Sequence, residues 1–172
     1  MRLRILYISA KILDESLSSR NIESMLDVLA CRHSVQVIGR FRRPGLQAPH
    51  AYSLTPIKAP RVPGLSMSWF LIVAFAHTRR AIRSSPPSVM AIQPSAVLPV
   101  AAALWLGRKG RKPPPVHLDA RTMAVPSPGV RGVAERVWLE FCLRRSTTLC
   151  SSYSAFTLDV AEWVSRLAHV PL

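Results

Sequence analysis

The chain has 172 residues, of which 49% are hydrophobic and 19% are charged. This length suits a single domain, and the apolar share is large enough to build a core, which excludes a wholly disordered chain. The three cysteines are scattered, and none stands beside a second Cys or a His at metal-ligand spacing. This excludes a disulfide scaffold and predicts no metal site.

The charge balance is the most unusual property of the composition. Lys and Arg number 23 against 9 Asp and Glu, which gives a formal net charge of +14 at pH 7. A surface this basic attracts partners that carry phosphate, such as anionic lipid head groups, nucleotides or nucleic acid. No helix-turn-helix, zinc or RNA-binding signature accompanies the charge, so a nucleic-acid-binding module is the weakest of the alternatives.

Hydropathy and turn residues divide the chain into alternating strands and helices. The first half predicts a strand over 4–9, a helix that Ser18 or Ser19 caps and that ends near residue 32, strands over 35–38 and 52–57, and a helix over 66–83. The second half predicts a strand over 89–92, a helix over 96–106, a strand over 116–119, a helix over 133–145, a strand over 147–151 and a helix over 154–167.

Such an alternation is typical of a Rossmann-like, three-layer α/β/α fold with a mostly parallel sheet of about five to six strands. Ligands of these folds bind at the carboxyl ends of the strands, so the residues that follow each strand are the candidates for a site. The longest apolar stretches, 69–76 and 96–106, are shorter than the ~20 residues that a spanning helix needs. An integral membrane protein is therefore not expected.

The helix over 133–145 has the clearest amphipathic pattern in the chain. We expect its apolar face to pack inward, with Glu140 and Arg144 as a stabilising pair four residues apart on the outer surface. The residues of the predicted inner face are Val130, Val133, Ala134, Val137, Trp138, Phe141 and Cys142.

The first strand ends at Ser9, and Lys11 follows it. No glycine occurs between Met1 and Ile38, and the chain has no Walker lysine motif, so neither a dinucleotide-binding turn nor a P-loop is present there. This argues against NAD-type and P-loop nucleotide binding, and we predict no cofactor.

Two further strand ends carry polar side chains. Asp119 can accept hydrogen bonds from ligand hydroxyls and Arg121 can pair with a phosphate, or Asp119 caps the following loop and Arg121 neutralises it. Ser152 or Ser154 can cap the last helix. The N-terminus of that helix then binds an anion, or the serine has a capping role alone.

Several passages, in this order, resemble the N-terminal half of a family 4 glycosyltransferase of the GT-B type. They are RLRILYIS, IESMLDVLACRHSVQVIGR, SVMAIQPSAVLPVAAALWLGRKG, VHLDART and ERVWLEFCLRRSTTLCSSYSAFTLDV. The resemblance implies that residues 1–172 are one Rossmann-like domain, half of a GT-B fold, which binds the acceptor. A nucleotide-sugar would bind to a missing or separate C-terminal domain, which normally carries an E-x7-E motif. The glycine-rich turn that many members have after the first strand is replaced here by KILDESLSS.

The resemblance also implies which residues touch the acceptor and where the protein works. Asp119 and Arg121 are the first acceptor-binding candidates and Ser9 and Lys11 the next, with a lipid-linked or envelope glycan as one class of acceptor. Without the donor-binding half, we expect the chain alone to have no transferase activity. A non-catalytic binding or scaffolding domain is the main alternative.

Members of this family often dock on anionic membranes, which implies a cytoplasmic location at the inner face of the membrane. The alternative is that the arginines are ordinary solvated side chains. The candidate docking residues are Arg40, Arg42, Arg43, Arg61, Arg79, Arg80 and Arg83.

Overall fold

A computed structural model of the chain describes residues 2–13, 17–41, 51–58, 60, 65–107, 112–121, 129–155 and 157–169. The strands are β1 (Arg4–Ile12), β2 (Ser34–Phe41), β3 (Ser53–Lys58), β4 (Val89–Ile92), β5 (Val116–Asp119) and β6 (Ser152–Ser154). The helices are α1 (Leu17–Arg32), α2 (Leu65–Ser84), α3 (Val97–Gly107), α4 (Val130–Ser146) and α5 (Leu158–Ala168), and a short 3-10 helix, Pro94–Ala96, precedes α3.

The six strands form one sheet in the order β3-β2-β1-β4-β5-β6, and every neighbouring pair is parallel. Helices cover both faces, so the predicted Rossmann-like α/β fold is confirmed. The predicted bounds of β4 and β5 agree with the structure, because prolines stand on both sides of β4 and directly before β5 and limit where each strand can begin.

Residues of β1 alternate between two hydrophobic cores, as the two-residue period of a strand requires. Leu6 and Ile8 pack with side chains from α2, α3, α4 and α5, whereas Ile5 and Tyr7 pack with α1. Among the described helices, α1 alone therefore covers one face of the sheet, and the other four form a layer on the opposite face.

Gly39 lies inside β2, although the sequence predicts that the strand ends there. The strand continues to Phe41, and Arg40 O accepts a hydrogen bond from Leu13 N at 2.9 Å. A Cβ at position 39 would lie 2.6 Å from Leu13 Cδ1, so the missing side chain leaves the room that Leu13 occupies. Glycine is needed here for close packing and does not break the strand.

The predicted strand over 147–151 is wrong, because the structure places β6 at Ser152–Ser154. Thr147 and Thr148 donate hydrogen bonds from their hydroxyls to the carbonyl oxygens of Arg144 and Arg145 at 3.0 and 3.3 Å. These bonds occupy carbonyl groups at the end of α4 and keep the two threonines in a turn. The chain therefore enters the sheet only at Ser152.

The orientation of α4 differs from the prediction for most of its apolar face, although Cys142 is buried and Trp138 packs against the core as expected. Val130 is 89% exposed and Val137 61%, and Val133, Ala134 and Phe141 are exposed with them. The helix packs inward through Gly132, Cys142, Leu143 and Ser146. Gly132, Cys142 and Ser146 are small and allow the helix to approach the layer beneath closely. Because this side of α4 faces the core, the larger apolar side chains on the other side face outward.

Candidate functional site

Polar side chains from three strands meet at the carboxyl edge of the sheet. The strand order reverses between β1 and β4, which is where Rossmann-like folds bind ligands. Gln93 follows β4 directly, and its N–H donates to Ile8 O at 3.0 Å, which brings Gln93 level with Ser9 at the end of β1. Asp119 ends β5, two residues before Arg121.

Asp119 is the centre of a network that uses both of its carboxylate oxygens. Its side chain is 2% exposed. Oδ2 accepts from the Tyr7 hydroxyl at 3.0 Å and from Arg121 Nη2 at 2.9 Å. Oδ1 accepts from Arg121 Nε at 2.8 Å and from the Arg121 backbone N–H at 3.2 Å. The carboxylate therefore holds Tyr7 and Arg121 in place, as the capping and neutralising interpretation of this pair expects.

The network fixes the charge of each member. Burial raises the pKa of Asp119, but the Arg121 guanidinium and the Tyr7 hydroxyl outweigh burial and hold the pKa below its ordinary value. Burial and the charge of Asp119 raise the pKa of Tyr7 well above its ordinary value. The hydrogen bond to Asp119 raises the pKa of Arg121. At neutral pH the site therefore contains a carboxylate, a neutral phenol and a guanidinium.

Ser9 and Gln93 form a second buried pair beside this network. Ser9 Oγ donates to Gln93 Oε1 at 2.7 Å, and the Lys11 backbone N–H lies 3.2 Å from Ser9 Oγ and 3.3 Å from Gln93 Oε1. Burial lowers the pKa of Lys11, and the charge of Asp119 opposes this shift. Because Ser9 and Gln93 are buried, the half-buried Lys11 and the 36% exposed side chain of Arg121 are better placed to meet a ligand.

Ser152 and Ser154 do not lie at a helix N-terminus, which corrects their predicted anion-binding role. Both are in β6, with Ser152 Oγ 2.9 Å from His117 Nδ1 and Ser154 Oγ 3.0 Å from His117 Nε2. Thr157 caps α5 instead, and its Oγ1 accepts from Val160 N at 3.3 Å. Both serines belong to β6, because this strand begins later in the chain than the sequence pattern indicates.

Ser154 Oγ also lies 3.5 Å from Asp119 Oδ1, so His117 and Ser154 border the Asp119 network. Burial lowers the pKa of His117, with opposing effects from Asp119 and Arg121. The imidazole is therefore neutral at pH 7, and it links β5 to β6.

Among the described residues, the arginines predicted to dock on a membrane lie at two opposite edges of the sheet. Arg40 is half-buried at the carboxyl edge, where Nη1 donates to Ala10 O at 2.8 Å and Nη2 contacts Ser66 Oγ. Arg79, Arg80 and Arg83 lie near the end of α2, which leads to the start of β4 at the amino edge. Arg42, Arg43 and Arg61 lie outside the described residues.

Sequence reasoning missed Tyr7 and Gln93. Tyr7 stands two residues before Ser9 in β1, so the strand period places both on the same face. Gln93 directly follows a predicted strand, which is the position the carboxyl-end rule selects. The contact between Arg121 Nη2 and Met25 Sδ of α1 had no such signal, because it depends on how the helix packs.

The described part of the carboxyl edge carries more positive than negative charge. Lys11, Arg40 and Arg121 contribute cations, and Asp119 the carboxylate. Such an edge suits a ligand with hydroxyl groups and a negative charge. No group of three or more His, Cys, Asp or Glu able to hold a metal ion occurs among the described residues.

Comparison with known proteins relates this architecture to glycosyltransferases by fold alone. No family model matches the chain, and no curated protein matches its sequence. It is similar to the structure of UGT89C1 from Arabidopsis thaliana complexed with UDP, with a TM-score of 0.56 and 10% identity over 95% of this chain. It is also similar to UGT2 from Phytolacca americana complexed with UDP-2-fluoro-glucose and pterostilbene, with a TM-score of 0.59 and 13% identity over 92% of this chain.

A third similar structure is CalG4, the calicheamicin glycosyltransferase, with a TM-score of 0.50 and 12% identity over 99% of this chain. The match covers 47% of UGT89C1, 48% of UGT2 and 44% of CalG4, so the chain spans about half the length of these structures. The chain thus has a Rossmann-like fold shared with part of each of these GT-B glycosyltransferases.

No helix in the described ranges combines the length and the apolar character needed to cross a bilayer.

Proposed function

We propose that this chain is the acceptor-binding domain of a glycosyltransferase that transfers sugar from a nucleotide-sugar. The observation that supports this most is the Tyr7–Asp119–Arg121 network beside Lys11. It occupies the strand-order reversal of a fold found in solved glycosyltransferases. That position is the one at which such sheets receive ligands.

The proposal gives different roles to the four candidate residues. Lys11 and Arg121 contact the acceptor, because their side chains are partly exposed and cationic. Asp119 and Ser9 are positioning residues: Asp119 holds the Arg121 side chain through two hydrogen bonds, and Ser9 Oγ donates to Gln93. The acceptor accordingly has hydroxyls and an anionic group, as a lipid-linked or envelope glycan has.

The donor belongs to another domain. Transfer from a nucleotide-sugar requires electrostatic stabilisation of the leaving diphosphate, usually the largest contribution to such catalysis. Arg121 is assigned to the acceptor, and Arg40 donates to Ala10 O and contacts Ser66, so the described part of this edge does not offer a pair of arginines to a diphosphate. The nucleotide-sugar therefore binds a C-terminal domain that these residues do not supply, and the chain alone is inactive.

A non-catalytic binding domain is the second candidate. It is favoured by the contacts of Asp119, whose oxygens are occupied within the chain and are not poised to take a proton from an acceptor. Binding of an anionic glycan without transfer in any longer form of the protein would distinguish this candidate from the first.

The test compares the chain alone with the chain together with a donor-binding domain, whether that domain is a separate protein or part of a longer chain. With a panel of nucleotide-sugars and lipid-extract acceptors, we expect no turnover by the chain alone and transfer when the donor-binding domain is present. In that active form, Lys11→Met and Arg121→Met should raise the acceptor KM at least about tenfold, the loss of one charge-assisted contact. The exposed Arg166→Gln is the matched control.

Turnover of a nucleotide-sugar by the 172-residue chain would refute the proposal that the acceptor and the donor bind to separate domains. Unchanged acceptor KM values in both variants would remove the site assignment.

A further inference from the structure

His117 of β5 lies between two serine side chains of the neighbouring strand β6. In the register of the two strands His117 pairs with Ser152, and Asp119 pairs with Ser154. Both ring nitrogens of the histidine are engaged, because Nδ1 lies 2.9 Å from Ser152 Oγ and Nε2 lies 3.0 Å from Ser154 Oγ. Ser154 Oγ in turn lies 3.5 Å from Asp119 Oδ1. The four side chains therefore form one series of polar contacts that leads from Ser152 to a buried carboxylate.

This series of contacts lies on the face of the sheet that α1 covers in part. Asp119 contacts Tyr7 of the core beneath α1, and the strand period places His117 on the same face as Asp119. In the described part of the chain, no hydrophobic side chain of β5 or β6 belongs to that core. Ser152 is exposed, and β6 is the last strand of the sheet, so a small molecule can reach the Ser152 hydroxyl.

The charge of Asp119 determines which nitrogen of His117 carries the proton. An ionised carboxylate only accepts hydrogen bonds, so it turns the Ser154 hydroxyl proton towards itself, although 3.5 Å is long for such a bond. Ser154 Oγ then accepts from the Nε2–H of His117. A neutral imidazole carries one proton, so Nδ1 is unprotonated and accepts the hydrogen bond of the Ser152 hydroxyl.

A hydroxyl within about 2.6–3.2 Å of a base that a third group orients is the arrangement that activates a nucleophile. We propose that Ser152 is a nucleophile that attacks carboxylic esters, with His117 as its base and with Ser154 and Asp119 as positioning residues. The proposal does not rest on the glycosyltransferase proposal. The two share Asp119, but the ester reaction needs neither a sugar nucleotide nor a second domain.

The reaction has two steps, and His117 Nδ1 carries the proton in both. In the first, Ser152 Oγ forms a bond to the ester carbonyl carbon and gives its proton to Nδ1. The bond to the leaving oxygen breaks, and that oxygen takes the proton, which leaves acyl-Ser152 and an alcohol. In the second, water gives a proton to Nδ1 and attacks the acyl carbon, and Ser152 Oγ leaves with that proton. The sum is ester and water giving acid and alcohol, and the Asp119 carboxylate offsets the transient charge of the imidazolium.

A purely structural link between β5 and β6 is the alternative role of these residues. The backbone pairing of the two strands already joins them, and the neighbouring Ser151 Oγ donates to Val116 O at 3.2 Å. An exposed hydroxyl such as that of Ser152 exchanges water for His117 at little gain in stability. Stability alone therefore gives little reason to place Ser152 against the unprotonated nitrogen.

The test mixes the 172-residue chain with p-nitrophenyl acetate and follows the release of p-nitrophenol. We expect a burst of about one equivalent per chain, the sign of an accumulating acyl-enzyme, and mass spectrometry should locate the acetyl group on Ser152. Ser152→Ala should abolish the burst. The matched control is Ser151→Ala, which removes the adjacent exposed hydroxyl and should leave the burst unchanged.

Variants of His117 and Ser154 test the base and its orientation. His117→Gln should lower the acetylation rate about 100-fold, the contribution of a general base. Ser154→Ala should lower it about tenfold by removing one hydrogen bond, and Ser154→Thr, which keeps the hydroxyl, should restore most of the rate. Circular dichroism confirms that each variant is folded.

The pH profile gives a readout that a structural role would not produce. Burial lowers the pKa of His117 below its ordinary value of 6.5; the nearby charge of Asp119 opposes this shift and that of Arg121 adds to it. The unprotonated form is the active one. The acetylation rate should therefore be constant at neutral pH and fall about tenfold per pH unit below the folded pKa.

Four results would overturn the proposal. They are the absence of a burst, a burst that survives Ser152→Ala, acetyl groups found on other residues and not on Ser152, or an equal loss in the Ser151→Ala control. None of these results concerns transfer from a nucleotide-sugar, so this proposal and the glycosyltransferase proposal can fail separately.

Discussion

A single buried carboxylate, that of Asp119, fixes two other side chains at the carboxyl edge. Its partners come from β1 and from the residues after β5, so the network ties together strands that are not neighbours in the sheet. A buried ion pair contributes little net stability compared with apolar packing, but removing one partner leaves the other uncompensated. The network therefore orients Arg121, and it also makes the stability of the fold sensitive to any change at Asp119.

Asp119→Asn should destabilise the fold by about 2–3 kcal/mol at pH 7, because Tyr7 and Arg121 lose their charged acceptor while Arg121 regains some hydration. The folded pKa of Asp119 is below the ordinary value of 3.8, so its contribution is complete above that pH and is lost as pH falls through the folded pKa. Urea unfolding should show a gap between the two proteins that narrows at acid pH.

The exposed Asp159→Asn serves as the control and should show no comparable gap at pH 7. A gap for Asp119→Asn that stays constant down to pH 3 would contradict the assignment of the ion pair as its source.

Much of this site could be predicted from the sequence, because strand ends are visible in the hydropathy pattern. Ser9, Lys11, Asp119 and Arg121 follow from that rule alone, and Gln93 obeys the same rule. Its relation to Ser9 depends on β1 and β4 being neighbours, which is a property of topology. The hydrogen bond from the Tyr7 hydroxyl to Asp119 could not be predicted either, since Tyr7 lies more than a hundred residues away in the chain.

At the scale of single elements, periodicity predicts a face but does not say which way that face points. The pattern of α4 correctly separates apolar from polar positions, yet the helix buries Gly132, Cys142 and Ser146 and exposes the valines. Close approach through small side chains competes with burial of larger ones, and the geometry of the layer decides the outcome. Tertiary packing of this kind cannot be predicted from the local sequence pattern of one helix.

Gly39→Ala tests the close packing inside β2. The new Cβ would lie 2.6 Å from Leu13 Cδ1, and Leu13 is buried, so the side chain must move within a packed core. We expect a loss of about 1–3 kcal/mol in the free energy of unfolding, which is typical of overpacking. Gly107→Ala is the matched control, because its nearest atom would lie at 3.6 Å.

The control should be neutral or stabilising by up to about 1 kcal/mol, since alanine favours a helix. Equal effects at positions 39 and 107 would show that contact with Leu13 is not what requires glycine.

At the scale of the whole molecule, charge is divided between the two edges of the sheet. The carboxyl edge holds Asp119 and its partners, whereas the last turns of α1, α2, α4 and α5 carry arginines towards the amino edge. Basic residues at helix C-termini complement the helix dipole, so each is favourable for its own helix. Collected at one edge, they repel one another, and the free chain bears that repulsion.

Added salt should therefore stabilise the isolated chain by screening this repulsion. We expect sodium chloride to raise the thermal midpoint by a few degrees, which for a domain of this size corresponds to about 1 kcal/mol. Replacing Arg80, Arg83, Arg144 and Arg145 by Gln should flatten the dependence on salt, because these four exposed positive charges lie near the ends of two helices of one layer. Arg121→Met should change the dependence on salt much less, since it removes one positive charge and not four, and that charge lies at the opposite edge of the sheet beside Asp119. Scanning calorimetry over a salt series, with sucrose to control for general solvent effects, separates the two variants. A dependence on salt that persists after the four changes would show that the repulsion arises from other charges of the chain.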